Sequence, residues 1–118
     1  MINKDFFKKI RILDGGMGQE LLARGMKPNS TLWSANAILD ANYHQLVLDT
    51  HVDFIKAGAE VIVTTTFATR QKRLKENSLL DKFEYLNQKA GELAQAAKQN
   101  FPNTCLLYTS DAADDVGC

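Results

Sequence analysis

Apolar and polar residues fall into two rhythms along this chain, short β-branched runs and longer stretches with a helical repeat, separated by glycine, proline and small polar residues. Ile10 to Leu13 (IRIL) is a β-favouring run that stops at Asp14-Gly15-Gly16, which predicts a strand and then a turn. Met17 to Arg24 are good helix formers, and Gly25 supplies the stop. Between Met26 and Leu39, Pro28, Asn29, Ser30 and Thr31 followed by Leu-Trp-Ser predict a long connecting loop. Loops of that kind are commonly functional or disordered, which draws attention to Trp33. Asp40 or Asn42 can cap a helix from about Tyr43 to Ala57, whose core stripe is Tyr43, Val47, Thr50, Phe54 and Ile55, and Gly58 ends it. Glu60 to Phe67 (EVIVTTTF) is β-branched through its middle and reads as a strand buried on both faces, as in a parallel sheet. Arg70 to Glu76 is charged and predicts a short helical turn. The next helix spans about Asp81 to Asn100, with Phe83, Leu86, Ala90, Leu93 and Ala97 at helical spacing and Phe101-Pro102 as its end.

Strand, helix, strand, helix in that order argues for an α/β fold built from βα units with right-handed crossovers. Strands joined in this way are parallel, so their carboxyl ends share one rim. Asp14-Gly15-Gly16 and Thr64-Thr65-Thr66 would meet there, and this rim is where α/β barrels and doubly wound sheets bind ligands.

Composition narrows the picture. The 118 residues suit one domain, and 14 basic against 14 acidic side chains leave no formal net charge. A balanced charge gives no electrostatic footprint for nucleic acid or an anionic membrane. The apolar runs fall far short of a membrane span, and MINKDFFKKIRIL lacks the apolar core of a secretory signal, so a cytoplasmic location is the expectation. The two cysteines, Cys105 and Cys118, lie near the carboxyl end, where one disulfide would staple only the tail. That tail has an unusual reading. Cys105 to Asp115 (CLLYTSDAADD) resembles the translation of a transposase adapter end used to prepare DNA for short-read sequencing. The string TGT CTC TTA TAC ACA TCT GAC GCT GCC GAC encodes Cys105 to Asp114 without a gap. The expected division is therefore 1–104 as natural domain and 105–118 as an adapter-derived artefact, the alternative being a genuine acidic tail. Without Asp111, Asp114 and Asp115 the remainder is mildly basic, and it holds no cysteine. CLLYT still has strand propensity, and it falls where a third strand is due.

Asp14-Gly15-Gly16-Met17-Gly18 permits three readings. A phosphate-binding loop fits poorly, because the glycine spacing is not that of the dinucleotide fingerprint and no Walker Lys-Ser/Thr pair follows. A tight turn needing glycine backbone angles is the plain structural reading. The third is a substrate cradle, in which backbone N–H groups and a helix start receive a ligand carboxylate while Asp14 accepts from its ammonium group. An amino acid is the natural ligand for that pair. Elsewhere, His44 and His51 are two turns apart on one helix, too far to share a metal, and His51 is expected to pack inward with a hydrogen-bond partner. Trp33 is either a plug over the rim or a pocket wall. The threonines are first of all strand formers, and Glu20 either supports the rim or is solvated. Arg70, Lys72, Arg73 and Lys75 read as a solvated helix face rather than a nucleic-acid site, because no aromatics interleave.

The blocks ILDGGMGQELLARG (12–25), LWSANAILD (32–40) and THVDFIKAGAEVIVTTTFAT (50–69) together resemble the homocysteine S-methyltransferase family, in order and spacing. The resemblance implies a (β/α)₈ TIM barrel of which this chain holds the first two βα units, incomplete, since eight such units need about 250 residues. It implies substrate-binding roles for Asp14, Gly15 and Gly16 at the amino-acid part of homocysteine, with Trp33 close by and Thr64 at the rim. The chain departs from the family where Thr64-Thr65-Thr66-Phe67 stands in place of the common Thr-Asn-Thr-Tyr, which removes an amide and a phenol hydroxyl from the rim.

The family's chemistry is implied to depend on zinc held by three cysteine thiolates, which lowers the thiol pKa of homocysteine before it attacks the methyl donor. Zinc is thus expected in a full-length protein and none in this fragment, which by this reading supplies no catalytic residue and is inactive alone. The expected partners are homocysteine and a methyl donor. The short LWSANAILD block resembles that of the compact single-barrel members of the family, which implies a sulfonium donor, S-methylmethionine or S-adenosylmethionine, over betaine or methylfolate. The competing class is a non-enzymatic α/β small-molecule-binding module ending near residue 104.

Overall fold

The computed structural model describes residue 5, residues 8–108 and residues 115–117. In chain order its elements are α1 (Met17–Ala23), α2 (Ala35–Leu39), α3 (His44–Lys56), β1 (Val61–Val63), α4 (Gln71–Glu76), α5 (Phe83–Lys98), β2 (Cys105–Tyr108) and β3 (Asp115–Gly117). Short 3₁₀ turns at Ala41–Tyr43 and Leu80–Lys82 lead into α3 and α5. Among the described residues, no helix is long and apolar enough to cross a membrane.

The sheet has the order β1-β2-β3, with β1 and β2 parallel and β3 antiparallel to β2. Val61, Ile62 and Val63 face Cys105, Leu106 and Leu107 in register. On the other side of β1 the Ile10–Leu13 run makes one parallel bridge, Leu13 to Val61, where a full strand is expected. Its pairing is real but brief. The Glu60 and Val61 N–H groups both donate to the Ile12 carbonyl, and the Asp14 N–H donates to the Val61 carbonyl at 3.0 Å. Ile10, Ile12 and Leu13 are all exposed, so nothing among the described residues packs on them to extend the ladder.

The strand expected over Glu60 to Phe67 is likewise shortened to Val61–Val63. Thr64 N–H still reaches the Leu107 carbonyl, but Thr66 N–H turns back to the Thr64 carbonyl at 2.8 Å and the chain leaves the sheet. β-branching fixed the extended backbone of this run; it could not set where sheet partners end. The long loop after Met26 also contains more order than expected, the five-residue α2. Both glycine stops hold: Gly25 (φ +106°) and Gly58 (φ +120°) adopt left-handed angles that a side chain would strain. At each, the following N–H folds back onto the helix, Met26 to Leu21 and Ala59 to Phe54.

One face of α3 carries Val47, Thr50, His51 and Ile55 inward, and α5 answers with Leu86, Ala90, Gly91, Ala94 and Ala97. These stripes close one core with Leu21 and Ile38 from α1 and α2, and a second beneath the sheet with Ile62 and Leu106. Tyr43 and Phe54 of the expected α3 stripe are half-buried, and Leu93 on α5 yields its fully buried place to Ala94. The two cores hold the sheet against α3 and α5. The carboxyl end of β1 and the turn after Leu13 then open together on the opposite rim.

Candidate functional site

At that rim lies a cleft of about 580 Å³ whose wall includes Asp14, Gly15, Gly16, Trp33, Thr64 and Thr65. Parallel pairing of the Leu13 segment with β1 brings the glycine turn beside the threonines, although some 50 residues separate them in sequence.

Asp14 is fixed by the ladder it terminates. Where the first strand would present a further backbone carbonyl to β1, its side chain does so instead: Val63 N–H donates to Asp14 Oδ2 at 3.0 Å. Burial pushes the Asp14 carboxyl up to about 6, against the lowering effect of this backbone hydrogen bond. The group is a half-buried carboxylate short of positive charge, since no salt bridge reaches it among the described residues.

Gly15 and Gly16 stand exposed at the cleft edge. A methyl group on Gly15 would meet Phe54 Cε1 at 2.9 Å, so a side chain here would force the ring on α3 to move, while on Gly16 it would meet only Gln19 Cβ at 4.0 Å, an ordinary contact. Gly16 is the N-cap of α1 and has extended angles (φ −72°, ψ 102°), with no side-chain cap on the helix. Tight-turn and cradle readings of the glycines are therefore compatible: one glycine is needed for packing and its neighbour leaves the turn open to the cleft.

Trp33 forms part of the cleft wall and is half exposed, with a left-handed backbone (φ 51°) uncommon for an aromatic residue. Three contacts hold it there. Its indole N–H donates to the Ser30 carbonyl at 2.9 Å, the Arg73 guanidinium lies 4.9 Å from the ring centroid, and Arg73 Nη1 also donates to the Thr31 carbonyl. Arg70 stacks over Phe67, a further wall residue, at 4.6 Å. These arginines were expected on a solvated helix face. That face is solvated, with Arg70, Lys72 and Lys75 exposed, and the two arginines also brace two aromatic walls, a role invisible from a charge cluster alone because Trp33 and Phe67 lie outside α4 in sequence.

Thr64, Thr65 and Thr66 are all buried. The Thr64 and Thr66 hydroxyls lie 2.9 Å apart, and Thr65 Oγ1 lies 3.5 Å from His51 Nε2. His51 is fully buried on α3, and burial pushes its pKa down to about 4. Its Nδ1 has no hydrogen-bond partner among the described residues. His44, by contrast, ties its Nε2 to the Ile38 carbonyl at 2.7 Å and is structural. Glu20 does not line the cleft; its part-exposed side chain pairs with Arg24, which also reaches Asp53 on α3.

The sequence profile of the homocysteine S-methyltransferase family matches residues 11–116, nearly the whole chain. The chain belongs to the homocysteine S-methyltransferase family. Homocysteine S-methyltransferase 2 of Saccharomyces cerevisiae is 35% identical over 79 residues, 60% of this chain and 24% of the yeast protein. Selenocysteine methyltransferase of Astragalus bisulcatus is 30% identical over 105 residues, 88% of this chain and 30% of that protein. Among solved structures, the homocysteine methyltransferase MmuM from Escherichia coli in its oxidized form aligns with TM-score 0.70 and 30% identity, covering 85% of this chain and 36% of MmuM. Its metallated form aligns with TM-score 0.71 at 28% identity, over 91% of this chain and 39% of MmuM. The chain thus spans about a quarter to two fifths of the relatives it matches.

Within this family, one relative is described in a metallated form, which makes metal binding a question for the present residues. They do not fit one. Among the described residues no group of three His, Cys, Asp or Glu side chains could hold a metal ion, and residues 1–104 contain no cysteine. The sequence-predicted residues Asp14, Gly15, Gly16, Trp33 and Thr64 do converge on one cleft. Sequence reasoning missed the apolar wall that Leu22, Met26 and Phe67 add to it. Leu22 and Phe67 are exposed large apolar residues, and that mismatch is a signal only once burial is known.

Proposed function

We propose that this chain forms the first βα units of a (β/α)₈ barrel and supplies the part of its rim that holds the amino-acid end of homocysteine. In the complete protein, homocysteine sulfur attacks the methyl carbon of a sulfonium donor, S-methylmethionine or S-adenosylmethionine. The donor's carbon–sulfur bond breaks, its electron pair stays on the departing thioether, and the thiol proton is lost to solvent. Zinc and its thiolate ligands belong to the remainder of the barrel, so the chain alone binds without catalysing transfer. A cytoplasmic location accords with the free thiol that this chemistry requires. The segment 105–118 is read as adapter-derived, and DNA sequencing across the Thr104 codon from an independently prepared library tests that reading.

The observation that carries the proposal is Asp14. A carboxylate held by one oxygen to Val63 N–H, its pKa raised to about 6 by burial and with no cationic partner among the described residues, gains charge stabilisation from a ligand ammonium group. Leu22, Met26, Trp33 and Phe67 offer apolar surface for the rest of a small thiol-bearing side chain. Trp33 is the sole tryptophan and lies in the wall, so its fluorescence reports occupancy directly. Titration with L-homocysteine under reducing conditions is expected to give a saturable change in Trp33 emission. A chain that is folded by circular dichroism and shows no saturable change would refute the proposal.

A further inference from the structure

We propose that His51 acts as a positioning residue that turns Thr65 into a hydrogen-bond donor aimed at the carboxylate of the bound amino acid. This rests on the homocysteine reading above and adds a second anchor, opposite in polarity to Asp14.

The argument starts from the tautomer. His51 is fully buried, Thr65 Oγ1 at 3.5 Å from Nε2 is its hydrogen-bond partner among the described residues, and Nδ1 has none. If the proton sat on Nδ1, a buried N–H donor would be left without an acceptor, one of the rarest and most costly situations in protein interiors. With the proton on Nε2, the unpaired atom is an acceptor lone pair, which is the cheaper defect. A doubly protonated ring is excluded at neutral pH, since burial holds the pKa near 4. The Nε2–H form therefore prevails, and it donates to Thr65 Oγ1.

The consequence falls on Thr65. A hydroxyl has one hydrogen to give, and a lone pair of Thr65 Oγ1 is now occupied by His51. No other hydrogen bond engages this hydroxyl among the described residues, unlike its neighbours Thr64 and Thr66, which face one another. Thr65 lines the cleft, so its unspent O–H is available to an acceptor bound there, and donation from His51 polarises it in that direction. A carboxylate oxygen is the acceptor that gains most, as hydrogen bonds to charged groups are the stronger class. Asp14 repels that same carboxylate and attracts the ammonium group on the same α-carbon, which orients the amino acid within the cleft.

The test compares L-homocysteine with 3-aminopropane-1-thiol, which keeps the amine and thiol and lacks the carboxylate, by calorimetry on the full chain. The unaltered chain is expected to bind L-homocysteine more tightly. Thr65→Val, which keeps the shape and loses the hydroxyl, is expected to weaken L-homocysteine binding about tenfold or more and leave the aminothiol unchanged, with Thr65→Ser restoring affinity. His51→Phe in the Thr65→Val background is expected to cause no further loss. Should His51→Phe fail to fold, long-range ¹⁵N–¹H correlation on the unaltered chain still reads the tautomer, with Nε2–H expected. An Nδ1–H tautomer, or a Thr65→Val chain that still prefers L-homocysteine by the original ratio, overturns the inference while leaving the proposed function standing. Absence of binding by either compound to the unaltered chain overturns both.

Discussion

Replacing Asp14 with Asn separates what the fold wants at this position from what the ligand wants. In the folded chain the carboxyl is raised from 3.8 to about 6, with burial as the largest cause. The folded state therefore holds the proton more tightly than the unfolded chain, and ionisation of Asp14 opposes folding. Its cost is absent below the unfolded value near 3.8, grows as pH rises, and is complete above about 6. A shift of this size corresponds to at most about 3 kcal/mol, and discounting for the solvent that still reaches the group leaves about 1 kcal/mol. Asn keeps an amide oxygen for the Val63 N–H and removes the charge. Asp14→Asn is therefore expected to raise stability by about 1 kcal/mol at pH 7, measured by urea denaturation, and the gain should vanish toward pH 4. Binding should move the other way. Loss of the charged partner for an ammonium group costs about 1.5–3 kcal/mol, or roughly 10- to 100-fold in the affinity for L-homocysteine. A variant that is less stable at pH 7, or whose gain is independent of pH, would refute the electrostatic account of Asp14. An unchanged affinity would refute its role as an anchor.

His51 has the opposite sign. Its folded pKa is lowered from 6.5 to about 4 by burial, so stability is complete above about 6.5 and falls by about 3 kcal/mol as pH drops toward 4. The slope should be seen most clearly in an Asp14→Asn background, which removes the opposing titration, and should disappear with His51→Leu. Gly15→Ala places a methyl group 2.9 Å from Phe54 Cε1, so the ring must move, with an expected loss of about 1–2 kcal/mol in thermal denaturation. Gly91→Ala meets Tyr108 Cε1 at 3.0 Å and should destabilise the chain, yet in a Tyr108→Ala background the same change should stabilise by about 1 kcal/mol, because alanine is then simply the better helix residue.

Much of the rim was legible because its logic is topological. Two β-favouring runs followed by helices place Asp14-Gly15-Gly16 and the threonines on one side whatever the details of packing, and the cleft joins them. Helix ends were equally readable, since Gly25 and Gly58 need angles that few residues tolerate. Strand lengths were not. Ile10–Leu13 and Glu60–Phe67 have the composition of longer strands, but a strand is as long as its partners allow, and here regular pairing is confined to Leu13 and Val61–Val63, with further hydrogen bonds at Ile12, Glu60 and Thr64 beside it. The α2 helix escaped notice because five residues carry too little periodicity to detect. The His51–Thr65 contact joins a helix position to a strand-end position, and periodicity along either element says nothing of such a pair. The bracing of Trp33 and Phe67 by Arg73 and Arg70 is hidden for the same reason.

The most direct test of the central claim is a pair of calorimetric titrations of the chain at pH 7 and low salt, with L-homocysteine and with N-acetyl-L-homocysteine. Acetylation removes the ammonium charge and leaves the carboxylate and thiol in place. Saturable binding of L-homocysteine with loss of most of that affinity on acetylation is the predicted result. Equal affinity for the two compounds would contradict the account, because Asp14 would then not be the group that holds the amino acid.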